Sequence, residues 1–164
     1  MEPRFEGRLV RHDPNGPFAG ITSDAWIDFP FASGGLNTTA RDIAEFCQVY
    51  LSDGAGLLSP ASVREASQNQ IPERTQGRMT SPGSGQTIEF PASYGFGWFV
   101  QGTHRFPFNG ALLPVNTLAH MGFGGAAIWV DPHSATVGVS LGVVNQMPTF
   151  QMGSLQDMVI GATL

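Results

Sequence analysis

The residues best suited to chemistry stand together at His120-Met121-Gly122-Phe123-Gly124-Gly125. Glycines beside a histidine at a strand edge let a ligand approach the backbone closely, because glycine has no Cβ to hold it away. Two β-like runs joined by Asp131-Pro132 follow, so residues 116–145 read as one wall of a binding or catalytic cleft. The competing reading of His120 is a hydrogen-bonded structural histidine. The glycine-rich edge beside it favours a place in a site.

Other chemistries fail on context. Gly138-Val139-Ser140-Leu141-Gly142 has the G-x-S-x-G form of a nucleophile elbow. That motif needs a sharp strand-to-helix turn at the serine, with acid and histidine later in the chain. Here the serine falls inside a strand pattern and no histidine follows His133, so Ser140 is read as a packing residue. Gly122 to Ala127 fits a loose G-x-G-x-x-A dinucleotide pattern, which requires a helix next. What comes next, Ile128-Trp129-Val130-Asp131-Pro132, is a strand running into a turn. The histidines at 12, 104, 120 and 133 form no H-x-x-x-H pair and have no flanking cysteine pairs, so no metal site is signalled. His12, His104 and His133 read as solvated loop residues. All eight basic residues are arginine, which excludes a lysine base, Schiff base or phosphate clamp. No cofactor is implied.

The elements that must position this wall are legible to different degrees. Residues 1–32 are rich in Pro, Gly and turn residues and read as an extended connector, with Trp26, Phe29 and Phe31 lying against the core without regular structure. Thr38 and Thr39 offer N-caps to a helix, with Asp42 at capping-box spacing from Thr39. Ile43, Phe46, Cys47, Tyr50 and Leu51 give that helix its apolar stripe, and Gly54 stops it. Ser59-Pro60 starts a second helix running to about residue 69. Residues 70–91 read as a loop and a candidate rim or lid. Residues 94–100 read as a strand, and residues 150–162 as a closing helix that packs on the Gly138, Ser140 and Gly142 face. The fold class is therefore α+β, an antiparallel sheet packed with helices.

Composition sets the outer bounds. A chain of 164 residues with 41% apolar content is one domain's worth of core. No apolar run reaches the roughly 20 residues of a membrane span, and a net charge of −5 with scattered arginines argues against nucleic acid or an anionic membrane as partner. The single Cys47 rules out an intrachain disulfide.

Several blocks, in order, resemble the C-terminal portion of serine hydrolases related to class C β-lactamases, including family VIII-type esterases and D-stereospecific peptidases. Ser33 to Phe46 is similar to the family's G-G-L-x-S-T-A-x-D-x-A-x-F helix entry, Leu57 to Pro60 to its L-L-S-P, and Tyr94 to Trp98 to its Y-G-x-G-W. His120 to Gly125, followed by Trp129 to Pro132, resembles its H-x-G-x-G-G and x-x-D-P block, and Asn145 its V-x-N. The resemblance implies a partial β-lactamase/transpeptidase-like fold over residues 33–164 and a three-motif active site. Of these motifs only the third stands here, as His120-Met121-Gly122; S-x-x-K cannot exist without lysine, and neither Tyr50 nor Tyr94 sits in a Y-x-N.

By the same resemblance, His120 lies near the substrate carbonyl or carboxylate and supports the tyrosine–lysine relay. The Phe123 N–H serves as one oxyanion donor beside Gly122, the missing serine's amide being the other. The expectation is a C-terminal fragment of an enzyme that hydrolyses a small ester, amide or lactam through an acyl-enzyme, inactive by itself. The rival expectation is a non-catalytic binding or interaction domain that keeps the fold. The resemblance also implies that residues 137–145 lack their neighbouring strands, and an unpaired edge of this kind would support a homodimer.

Overall fold

In a computed structural model, which describes residues 15–16, 19–29, 34–80, 85–103, 106, 109–122, 125–142 and 151–162, the longest helix begins where its capping residues place it. Thr39 Oγ1 accepts the Asp42 N–H at 3.2 Å and opens α2, Ala40–Leu51. Its stripe buries Ile43, Cys47 and Val49. Phe46, expected in that stripe, is instead 47% exposed and meets Tyr50 edge-on at 5.9 Å. Ser59 likewise accepts the Ser62 N–H at 3.0 Å and opens α3, Pro60–Ser67. This helix stops short of residue 69 because Gln68 turns extended and the Gln70 side chain donates to the Glu65 carbonyl at 2.9 Å. Ahead of both, a 3-10 turn at Ala19–Thr22 and a short α1, Asp24–Asp28, occupy a stretch expected to be irregular. The Ser23 hydroxyl caps α1 by accepting from the Trp26 N–H at 3.3 Å.

The strands depart from the sequence reading in two places. Residues 70–91 are not all loop: β1, Gln76–Thr80, and β2, Thr87–Pro91, pair antiparallel. Arg78 stands opposite Glu89, the Thr80 and Thr87 hydroxyls meet at 2.9 Å, and the Phe90 ring lies over Gly77. Conversely, the strand expected over residues 94–100 is mostly a turn. The Gly95 N–H donates to the Trp98 carbonyl at 2.8 Å and Gly97 takes φ +86°, so Tyr94 folds back to bridge Phe99. Only β3, Phe99–Val100, enters a sheet.

That sheet is antiparallel with order β3-β4-β5-β6, where β4 is Leu118–Gly122, β5 is Ala126–Asp131 and β6 is Thr136–Ser140. Asp131 ties the β5–β6 turn, accepting from the His133 N–H at 2.8 Å and the Ser134 hydroxyl at 2.5 Å. One face joins Val100, Leu118 and Val130 to Ile43, Cys47 and Trp98, with Val137 and Val139 packed alongside. On the other face Ala119 and Trp129 pack with Leu113 and with Ile160 of α4, Gln151–Gly161. The result is helix, sheet, helix: the expected α+β class.

The small-residue face of β6 has a different neighbour from the one expected. Gly138 is covered by the indole of Trp129 from the paired strand, a tryptophan that leaves no room for a Cβ. Helix α4 meets that face through Trp129, against which Ile160 packs, and is anchored on residues 109–112, where Gln156 Oε1 accepts the Gly110 N–H and Asp157 Oδ1 the Leu112 N–H, each at 2.7 Å. Gly153 permits that approach, since a Cβ there would press on the Asn109 carbonyl at 2.8 Å. Among the described residues no helix is long and apolar enough to cross a membrane.

Candidate active site

The register of β4 shapes the candidate site. Toward β5 the ladder is complete, from Leu118↔Val130 to Gly122↔Ala126. Toward β3 it holds only Val100↔Leu118 and Phe99↔Ala119. The outer edge at His120, Met121 and Gly122 therefore has no strand partner among the described residues, and its alternate N–H and C=O groups are open to an extended ligand.

His120 rises from this edge exposed, and its imidazole has no hydrogen-bond partner among the described residues. A histidine held for structural reasons is normally tied by its ring nitrogens, so the structural reading loses its main support. Gly122 is equally informative. Among the described residues a Cβ built there meets nothing closer than the Ala126 Cβ at 3.7 Å, and its φ lies outside the left-handed region. Neither packing among the described residues nor backbone conformation demands glycine at this position.

Phe123 and Gly124 lie outside the described residues, as do Asn145, His12 and His104. After Gly122 the chain turns through Gly125, φ +96°, into strand β5, which has no helix N-terminus to hold a pyrophosphate. Ser140 ends β6 without the strand-to-helix turn that a nucleophile elbow needs. His133 is exposed in the β5–β6 turn, away from the free edge of β4. Tyr50 packs edge-on against Trp98 at 5.1 Å in the core. Cys47 is fully buried, and loss of hydration pushes its thiol from 9.0 up to about 11, which removes it as a nucleophile. Among the described residues no group of three or more His, Cys, Asp or Glu could hold a metal ion.

The sequence reading missed the aromatic group beside His120. The Phe99 ring lies 6.2 Å from the imidazole with 30° between planes. Tyr94 meets Phe99 edge-on at 4.9 Å, Phe106 meets it at 5.1 Å, and Phe90 of the hairpin meets Phe106 at 5.5 Å. The only signal in the sequence was the count of twelve phenylalanines, which says nothing of where they converge. A separate cleft of about 640 Å³ opens at the opposite end of β4, lined by Asp53, Arg64, Asn116 and Leu118 among others, and does not reach His120.

Comparison with known proteins agrees with this architecture. A crystal structure of a beta-lactamase from Mycobacterium bovis is similar to this chain, with a TM-score of 0.62 and 23% identity. The similarity covers 80% of this chain and 47% of that one, so the chain spans under half the length of its structural relative. At that identity the likeness speaks for the fold. No curated protein matches the chain significantly. The family described as Beta-lactamase matches residues 1–162, nearly the full sequence, and takes in both the capped helix α2 and the free histidine–glycine edge of β4. The chain belongs to the beta-lactamase family.

Proposed function

We propose that this chain contributes the third-motif strand of a serine hydrolase site that cleaves an ester, amide or lactam through an acyl-enzyme. The observation that carries the proposal is the free edge of β4, where an exposed His120 and a glycine not required by packing stand side by side. An extended substrate segment pairs with that edge, and Gly122 lets its carbonyl come close to the backbone. His120 lies beside the substrate carbonyl or carboxylate and supports proton transfer there. The Phe123 N–H, next in the chain, is assigned one oxyanion contact. Fixed donors of this kind act where negative charge develops, and losing one costs roughly 10²–10³ in rate.

The nucleophilic serine, its lysine and the tyrosine base come from polypeptide other than these 164 residues, which contain no lysine. The chain alone is accordingly proposed to be inactive. The test pairs two measurements. Purified chain is assayed with nitrocefin and p-nitrophenyl butyrate and treated with a fluorophosphonate probe; neither turnover nor labelling is expected. The coding sequence preceding residue 1 is then read for S-x-x-K and Y-x-N blocks, and a protein carrying them in frame is assayed with and without His120→Ala. Turnover that falls about 10²-fold in the variant supports the assignment. Turnover by the chain alone, abolished by the serine probe, overturns it.

A further inference from the structure

Among the described residues, four aromatic side chains from three separate segments form a chain of ring contacts that reaches His120 through Phe99, and nothing in the third motif accounts for them. Phe90 comes from the β1–β2 hairpin, Tyr94 and Phe99 from the two ends of the tight turn, and Phe106 from the segment leading toward β4. Phe106 is buried, 2% exposed, and serves as the base of the group. Phe90, Tyr94 and Phe99 are each half-buried and keep part of their surface outside. Edge-to-face contacts from Tyr94, at 82°, and Phe106, at 62°, hold Phe99 from two sides. Offset and edge-to-face pairs at such separations are attractive beyond their buried area, so the Phe99 ring is pinned. The ring sits beside the imidazole, tilted by 30° with centroids 6.2 Å apart, so His120 and Phe99 are neighbours on one side of the β4 edge. The hairpin extends the group through Phe90 and brings its own exposed rim with it.

We propose that Phe99, backed by Phe106 and flanked by Tyr94 and Phe90, is a specificity wall that selects substrates with an aromatic or bulky apolar group next to the scissile carbonyl. This deepens the assignment of the β4 edge and rests on it. A substrate chain paired with His120–Gly122 has its neighbouring group directed along the edge toward β3, where Phe99 stands opposite Ala119. Burying a ring there removes apolar surface from water on both partners. Small acyl groups leave the wall wet and gain nothing from it.

The test uses the 164-residue chain and two probes with the same amide and carboxylate, N-phenylacetylglycine and N-acetylglycine, followed by NMR. The phenyl probe is expected to bind about tenfold more tightly. It should shift Phe90 and Phe99 together with the Met121 and Gly122 amides. Phe99→Leu, and separately Phe90→Ser on the outlying hairpin, should cut the preference to about threefold or less while β4–β6 resonances stay in place. Equal binding of the two probes, with Met121 and Gly122 shifting, overturns the wall and leaves the edge assignment standing. Shifts at Phe90 and Phe99 without any at Met121 and Gly122 overturn the edge assignment and this one with it. Failure of both probes to bind at millimolar concentration overturns both.

Discussion

At the scale of single residues, glycines with the same absent side chain carry opposite meanings. At Gly138 and Gly153 a Cβ would collide with an indole or a carbonyl, so those glycines serve packing. At Gly122 a Cβ would meet only the Ala126 Cβ at 3.7 Å among the described residues, which leaves the position free for the substrate approach proposed above. Gly122→Ala is therefore expected to change stability by less than about 0.5 kcal/mol while weakening probe binding at the β4 edge; urea melts and NMR titration check both halves. Cys47 makes the complementary prediction. Burial raises its thiol to about 11, above the 9.0 of a free thiol, so the unfolded state ionises first as pH climbs. Between those two values the unfolded chain holds fewer protons, and the contribution of Cys47 to stability is lost as pH rises through that window. Wild type should lose stability more steeply there than Cys47→Ala, and the native thiol should not react with DTNB at about pH 8, where an ordinary thiol begins to ionise. Equal pH slopes would count against its burial in neutral form.

At the scale of elements, what the sequence disclosed was local hydrogen bonding and helical spacing. Thr39 and Ser59 cap the helices predicted from them because a cap is a contact within one turn. Thr39→Ala should cost about 1 kcal/mol in a urea melt, and a loss within error would mean that packing on the sheet holds α2 without its cap. The strand predicted over residues 94–100 failed for an equally physical reason. Alternation of small and bulky residues looks like a strand, but Gly95 is small because it presses on the Ala66 carbonyl and Gly97 because it takes φ +86°. The β1–β2 hairpin was hidden by its composition: Gln, Gly, Arg, Thr and Glu make a solvated ribbon that resembles loop. The closing helix α4 was legible, but its docking on residues 109–112 through Gln156 and Asp157 was not, since both partners are polar and distant in sequence.

At the scale of the whole molecule, β6 pairs with β5 and with nothing else among the described residues. Its sequence, Thr136–Ser140, carries no charge or proline to discourage another strand. Residues 143–145 of the edge expected to pair lie outside the described residues, and the expectation of self-association rests on β6 itself. Light scattering at micromolar concentration should find dimers, and Ser140→Lys, which puts a charge on the end of that edge, should shift them toward monomer. A monomeric wild-type chain would rule out the edge as an interface. The order of the motif blocks and the absence of lysine were readable without a fold, because identity and spacing are properties of the string. Those alone pointed to the beta-lactamase family and to His120 and Gly122 as candidate site residues. Only the tertiary structure decided that β3 stops pairing at Ala119, so that His120–Gly122 have no outer strand among the described residues, and that Phe99 stands beside His120 with Phe106 and Phe90 behind it. Strand register and ring contacts join residues far apart in the chain, and such contacts are set by packing of the whole core rather than by any local pattern.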